Sequence, residues 1–333
     1  MQQAYIYPIS NRVNAGVYNP YIDNFVKYGE KNWVFLNKEN PSNYGIFDTL
    51  KYVRKVDILF FNWIEKLPEL KGGMAQTVFL YFLLTYARYK KIKIVWTIHN
   101  NVAHSKEGLF MKKLIFRMMM KKSNFLIIHS TQGKEVIDKY AAKAKDYLYF
   151  PHPVVDHLGE VDAPKKFDIL IWGSLVPYKG IDKFLAYLHT HDLQHKYKVK
   201  IVGKCNDQHY FSKLMDYANE SISIENRFLE NDLLHHLMAE SHFTLFTYSN
   251  SSVLSSGALA ESVSHGALVV GPDVAAFKDL GEMCYIYTYE NFDRLIVLAD
   301  KIIAGEISIS HDKFSEFVQS YHWSEFVKKL YIN

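Results

Sequence analysis

Phe167-Asp168-Ile169-Leu170-Ile171-Trp172-Gly173-Ser174-Leu175-Val176-Pro177-Tyr178-Lys179-Gly180 decides the fold. It reads as a strand stopping at glycine, a short loop, and a helix over residues 178–189. The pattern returns at Val199-Lys200-Ile201-Val202-Gly203, a second strand ending in glycine. Further units follow: helices at 211–219, 231–240 and 257–265, and strands at 222–225, 243–248 and 267–270. Helices over 292–304 and 312–330 close the chain. Alternation of this kind predicts a doubly wound parallel α/β domain.

Working outward, residues 1–155 show the same grammar. Strands are expected at 4–9, 33–36, 57–61, 92–98 and 123–129, with helices at 20–28 and 74–89. Such apolar runs suit parallel strands buried on both faces. Tyr149-Phe150-Pro151-His152-Pro153 breaks the series, because two prolines bar a helix, and 154–166 reads as a linker. The expected division is therefore 1–155, 166–311, and a closing helix at 312–333. At about 150 residues per domain, 333 residues fit two domains.

Charge divides along the same line. Residues 1–155 hold 23 Lys and Arg against 11 Asp and Glu (+12), and the remainder 16 against 24 (−8), which sum to +4. A basic half calls for an anionic partner. The 49% apolar and 22% charged content excludes a disordered chain. Cys205 and Cys284 are too few for a disulfide framework or a structural zinc site, and read as buried thiols in a reducing compartment. Met1 to Ile9 lacks a secretory pattern, and no apolar stretch reaches the roughly 18 residues of a membrane span.

Several residues carry chemistry. In the loop Gly173–Gly180, glycine admits a ligand to the backbone and Lys179 can meet a phosphate beside a helix N-terminus. The loop fits neither a dinucleotide fingerprint nor a Walker loop. Ser249 to Gly257 is a small-residue segment before a helix, an anion cradle needing no metal. Glu261, in the first turns of that helix, suits neutral hydroxyls such as a ribose diol. His99, at the end of the 92–98 strand, is placed to touch a ligand, with His104, His129 and His152 as weaker versions. Trp63 reads as a platform or as core, and Glu65 as an acid or base. No metal-ligand spacing is present, so no metal is expected. Residues 106–122 read as a basic amphipathic helix, with Met111, Leu114, Ile115, Met118 and Met119 on one face and Lys112, Lys113, Arg117 and Lys121 on the other. Such a helix either lies on an anionic bilayer or packs in the core with a solvated basic face.

Together these segments resemble a GT-B glycosyltransferase of family 4. The resemblance spans nearly the whole chain. It rests on Trp96-Thr97-Ile98-His99-Asn100, Pro151-His152-Pro153, Gly173 to Gly180, and Ser255-Ser256-Gly257 through Glu261. His265-Gly266-Ala267-Leu268-Val269-Val270-Gly271-Pro272 completes it, with Tyr321-His322-Trp323 resembling the start of a closing helix that crosses back to the first domain. Phe61-Asn62-Trp63-Ile64-Glu65 further resembles bacterial exopolysaccharide and capsule transferases, with Asn62 where those carry His. The resemblance implies two Rossmann-like domains facing a central cleft. It also implies hexose transfer from a UDP- or GDP-sugar to a lipid-linked or oligosaccharide acceptor. His99 would contact the donor sugar, Lys179 the diphosphate and Glu261 the donor ribose or sugar. Gly16, Gly173, Ser174, Gly180, Gly203, Ser255, Ser256 and Gly257 would line the donor site, and residues 203–230 would set the base. Retention would need no protein nucleophile, whereas inversion would use Glu65 or His99 as base.

Two departures stand out. Ser174 occupies the place of a frequent Arg, for which Arg12 or Arg227 is a substitute, and Val253 stands where a second Glu is common. The implied location is cytoplasmic, at the inner membrane face. Competing readings are a non-catalytic GT-B scaffold, a two-lobed sugar-binding protein and a nucleic-acid binder. The last is disfavoured because the cations cluster on one helix without interleaved stacking aromatics, so no nucleic-acid partner is expected.

Overall fold

The computed structural model describes residues 1–9, 20–40, 42–101, 108–159, 163–248 and 254–332. Gly16, Arg12, His104, Lys106, residues 249–252 and Val253 lie outside the described residues. The chain divides into two compact units, residues 1–153 with 251–255 and 323–333, and residues 154–250 with 256–322.

The first unit is a six-stranded parallel sheet built from β1 (Gln2–Tyr7), β2 (Trp33–Phe35), β3 (Ile58–Asn62), β4 (Lys93–Ile98), β5 (Phe125–Ile128) and β6 (Tyr147–Tyr149). Its order is β2-β1-β3-β4-β5-β6. The strand direction of travel reverses between β1 and β3, where a doubly wound sheet opens a crevice at its carboxyl edge. Around it lie α1 (Pro20–Gly29), α2 (Gly73–Tyr89), α3 (Leu109–Lys122) and α4 (Gln132–Tyr140). Two 3₁₀ helices, Gly45–Lys51 and Ile64–Glu69, complete this unit's connections.

The second unit repeats the design with β7 (Phe167–Trp172), β8 (Val199–Val202), β9 (Ile222–Glu225), β10 (Ser241–Leu245), β11 (Val269–Pro272) and β12 (Tyr287–Tyr289). Its order, β12-β11-β10-β7-β8-β9, puts the reversal between β7 and β10. Its helices are α5 (Ile181–Thr190), α6 (Gln208–Met215), α7 (Asn231–Ala239), α8 (Gly257–Ser264), α9 (Ala275–Glu282), α10 (Phe292–Ile303) and α11 (His311–Ser320). The expected pair of doubly wound α/β domains is present. Ile169, Ile171, Val199 and Ile201 are buried on a sheet covered by helices on both faces, as continuous apolar runs require.

Three expectations change. The single closing helix is two helices: α11 ends at Ser320, and α12 (Trp323–Ile332) begins after a break at Tyr321 and His322. α12 belongs to the first unit, where Trp323 and Phe326 are fully buried and Trp323 packs edge-on to Tyr21 at 5.0 Å. Second, α3 packs in the core by part of its apolar face, one of the two readings its sequence left open, while Leu114 of that face stays exposed. Ile115 and Met119 are wholly buried, and Lys112, expected on the solvated side, is buried in an ion pair with Glu69. The reason is that α3 packs on both α2 and the Ile64–Glu69 turn. Third, Cys284 is exposed, while Cys205 is buried as expected. No helix among the described residues is long and apolar enough to cross a membrane.

Candidate functional site

Four neighbouring strands of the first unit deliver side chains to one edge. Asn62 ends β3, while His99, His129 and His152 follow β4, β5 and β6. The rings form a row, with His99 to His129 at 5.6 Å and His129 to His152 at 5.5 Å. Burial of His99 holds its pKa well below 6.5, with further depression from His129, His152 and Lys66. Burial lowers His129 to about 3, with His152 adding to the effect. These two rings are neutral at neutral pH, so their tautomers follow from their partners.

The partners separate His99 from His129. His129 Nδ1 donates to the Phe150 carbonyl at 2.7 Å, and its Nε2 accepts from the Tyr21 hydroxyl at 2.9 Å. Both nitrogens are used, so His129 is a structural pin. Asn62 Nδ2 donates to the Tyr7 carbonyl at 3.3 Å, which turns Oδ1 toward His99 Nε2 at 3.1 Å. His99 therefore donates from Nε2 and keeps Nδ1 as an acceptor. Trp63 stacks on His99, with centroids 4.1 Å apart and planes within 14°. Its backbone is left-handed at φ 47°, a conformation an L-residue holds only when its surroundings fix it. Glu65 is buried in the turn after Trp63 and accepts from Asn100 Nδ2 at 3.4 Å. Burial raises its carboxyl pKa.

In the second unit the reversal between β7 and β10 gathers a different set. After β7, Gly173 takes φ 93°, a short 3₁₀ turn spans Pro177–Lys179, and Gly180 at φ 68° opens α5. Thr247, after β10, donates its hydroxyl to the Lys179 carbonyl at 2.7 Å and ties the two strand ends together. Lys179 is 8% exposed, with its amine 5.8 Å over the Tyr248 ring. Desolvation brings its pKa down to about 8. Among the described residues no carboxylate pairs with it. A buried ammonium without a counter-charge is costly, so its environment is suited to an anion. A Cβ on Gly173 would stand 3.0 Å from that amine, which shows how the glycine keeps the approach open.

Tyr248 also meets the Ser256 hydroxyl at 3.3 Å, and Ser256 caps α8 by accepting from Leu259 N at 3.2 Å. The cap thus places the start of α8 beside Tyr248, whose ring lies under the Lys179 amine. Ser256→Ala should lower stability by about 1 kcal/mol in urea unfolding, the usual cost of a lost cap. Ser174 is exposed, Gly203 is buried, Ser255 half-buried and Gly257 exposed. Arg227, the candidate substitute cation, is engaged by Glu225 at 2.5 Å, and Glu225 also holds Lys200.

Glu261 lies between two imidazoles, 3.5 Å from His157 Nε2 and 3.3 Å from His265 Nε2. With their ligand atoms within 4.8 Å of one another, these three residues form a donor set that could hold a metal. The rings argue otherwise. His157 and His265 stack within 9° of parallel at 4.6 Å. An imidazole lone pair lies in its ring plane, so stacked rings cannot both aim at one ion without turning.

Sequence reasoning named His99, Lys179, Ser256 and Glu261, and passed over Asn62's tie to His99 and Tyr248's place under Lys179. Asn62 did carry a signal, as the residue that departs from the resembling motif.

No protein-family model matches the chain, and no curated protein matches its sequence. Solved structures do match it. HepE from Anabaena, solved in complex with UDP, superposes at TM-score 0.74 with 11% identity, over 99% of this chain and 98% of its own. Sucrose-phosphate synthase from Thermosynechococcus elongatus gives 0.73 at 12% identity, over 99% and 97%. The lipopolysaccharide outer core galactosyltransferase WaaB gives 0.62 at 13% identity, over 99% and 98%. The likeness defines the architecture, which is that of the GT-B glycosyltransferases.

Proposed function

We propose that the protein is a glycosyltransferase. It moves a hexose from a UDP- or GDP-sugar to a lipid-linked or oligosaccharide acceptor in cell-surface polysaccharide synthesis, with retention and without a metal. The observation that carries the reading is Lys179, a buried ammonium at the strand reversal of the second sheet that no carboxylate among the described residues pairs with. Its support is the fold shared with HepE, which binds UDP and UDP-glucose.

The bond between the sugar's anomeric carbon and the diphosphate breaks, and its electron pair leaves with the phosphate. Lys179 and the N–H groups opening α5 and α8 stabilise that charge. The acceptor hydroxyl bonds to the anomeric carbon from the same face, and its proton passes to the departing phosphate. His99 Nδ1 accepts from a sugar hydroxyl while Asn62 and Trp63 hold the ring. Glu261 accepts from the donor's ribose. Inversion by His99 would rely on a ring whose burial makes it a weak base, which leaves Glu65, its carboxyl pKa raised by burial, as the base of an inverting route.

Thermal stabilisation by UDP, GDP, CMP, UDP-glucose, UDP-galactose and GDP-mannose, with and without EDTA, tests the donor reading. One diphosphate should raise the melting temperature equally in both conditions. No shift with any of them overturns the transferase reading, and a shift abolished by EDTA overturns metal independence. His99→Ala should lower kcat by about a hundredfold while leaving the nucleotide shift in place. An equal loss in nucleotide binding would remove His99 from the reacting end.

A further inference from the structure

α2 is apolar on two opposite sides. Leu80, Leu83, Leu84 and Ala87 are buried in the core of the first unit. Met74, Val78, Phe82 and Tyr89, spaced to form a second stripe, are 73, 53, 64 and 80% exposed. Tyr81 adds to that stripe at 50%. A helix apolar all round is ordinarily buried all round, so this outer stripe asks for a cover. At its N-terminal end Met74, Val78 and Phe82 line a shallow apolar hollow with Phe47 and Phe79.

Among the described residues the charge around the stripe is mainly basic. Between Glu69 and Glu135 the only carboxylate in the sequence is Glu107. Arg88, Lys90 and Lys91 are exposed at the C-terminal end of α2. Lys122 reaches the Thr85 hydroxyl on α2 at 3.5 Å. On α3, which packs against α2, exposed Lys113, Arg117 and Lys121 alternate with exposed Phe110 and Leu114. The nearby Glu69 is already engaged by Lys112, and Asp48 by Lys51.

We propose that this α2–α3 face docks the protein on an anionic bilayer surface. The stripe of Met74, Val78, Phe82 and Tyr89 seats at the boundary of headgroups and acyl chains, and the flanking cations meet lipid phosphates. A second copy of the chain fits poorly. A two-fold contact would bring these cations against their own counterparts, with no carboxylate on either helix to answer them. The surface shares Leu114, Lys113, Arg117 and Lys121 with the helix read in the sequence of 106–122 but centres on α2, because Ile115 and Met119 of that helix are in the core. It is also independent of the donor reading, because it involves no residue of the second unit.

Vesicle sedimentation tests it, with phosphatidylcholine alone and with about one-third phosphatidylglycerol added. The protein should bind only the anionic vesicles, and less as salt rises. Val78→Ser with Phe82→Ser should weaken binding by about tenfold or more. Arg88→Ser with Lys90→Ser and Lys91→Ser should weaken it by on the order of a hundredfold. All five side chains are exposed, so the melting temperature and the nucleotide-induced shift should be unchanged. That shift keeps a failure here distinct from a failure of the donor site. No binding to either vesicle overturns the proposal, as does equal binding by wild type and both variants. So does a dimer in solution that the Val78 and Phe82 variant dissociates, or tight RNA binding that the same cations supply.

Discussion

Lys179→Met is expected to raise the melting temperature of the free protein and to abolish its stabilisation by nucleoside diphosphate. The two effects share one cause. A lysine pKa lowered from 10.5 to about 8 corresponds to about 3 kcal/mol held against the charged amine. Methionine fills similar space without that penalty, so the empty fold gains. On the proposed donor reading the diphosphate loses a buried cationic contact, and kcat/KM should fall by about a hundredfold to a thousandfold, the scale of one lost charge-stabilising donor. pH gives an independent check. The unfolded chain keeps this proton up to about pH 10.5 and the folded chain only to about 8. Between those values the unfolded state binds more protons, so stability of the free protein should rise with pH across that window. Nucleotide affinity should instead decline above pH 8, as the ammonium is lost. A variant that melts lower and still binds nucleotide would show the amine to be a packing element.

Gly203→Ala is expected to cost about 3 kcal/mol or more, measured by urea unfolding. At this position a Cβ would lie 1.7 Å from the Gly173 carbonyl oxygen and 2.7 Å from its carbon. The atoms met are backbone, not the end of a flexible side chain. The Gly173 N–H donates to the Val202 carbonyl at 3.2 Å, so the two strand ends cannot separate without losing this bond. Because the displaced strand end leads into Lys179, nucleotide stabilisation should weaken along with the fold. A variant as stable as wild type would show that the β8 end moves away from Gly173 at no cost.

The long buried strands were legible because burial on both faces leaves uninterrupted apolar runs, as in Ile58 to Phe61 and Ile169 to Ile171. Some shorter elements, such as β2 and β9, were legible as well, and others were not. α4 buries only Gly133, Val136 and Ile137 among polar neighbours, and β12 is three residues at a sheet edge. The break at Tyr321 and His322 contains neither glycine nor proline, so periodicity ran through it, and only the resemblance marked a helix start there. In the site, single residues such as Lys179 and His99 stood out by type and by position after a strand. Their supports did not, because Asn62, Thr247 and Tyr248 are ordinary residues until the sheet order brings distant strand ends together. The inward turn of α3 was one of two readings open to its sequence. Tertiary packing on α2 and Glu69 chose between them.

The placement of α12 has a consequence for biosynthesis. Trp323 and Phe326 belong to the first unit's packing around Tyr21 and Phe25, yet they are translated after the whole of the second unit. At roughly 5–20 residues per second, the ribosome needs on the order of ten seconds or more to travel from residue 153 to residue 323. Through that interval the nascent first unit has an unfilled aromatic slot at α1. The aromatic surface there stays uncovered until the last helix emerges.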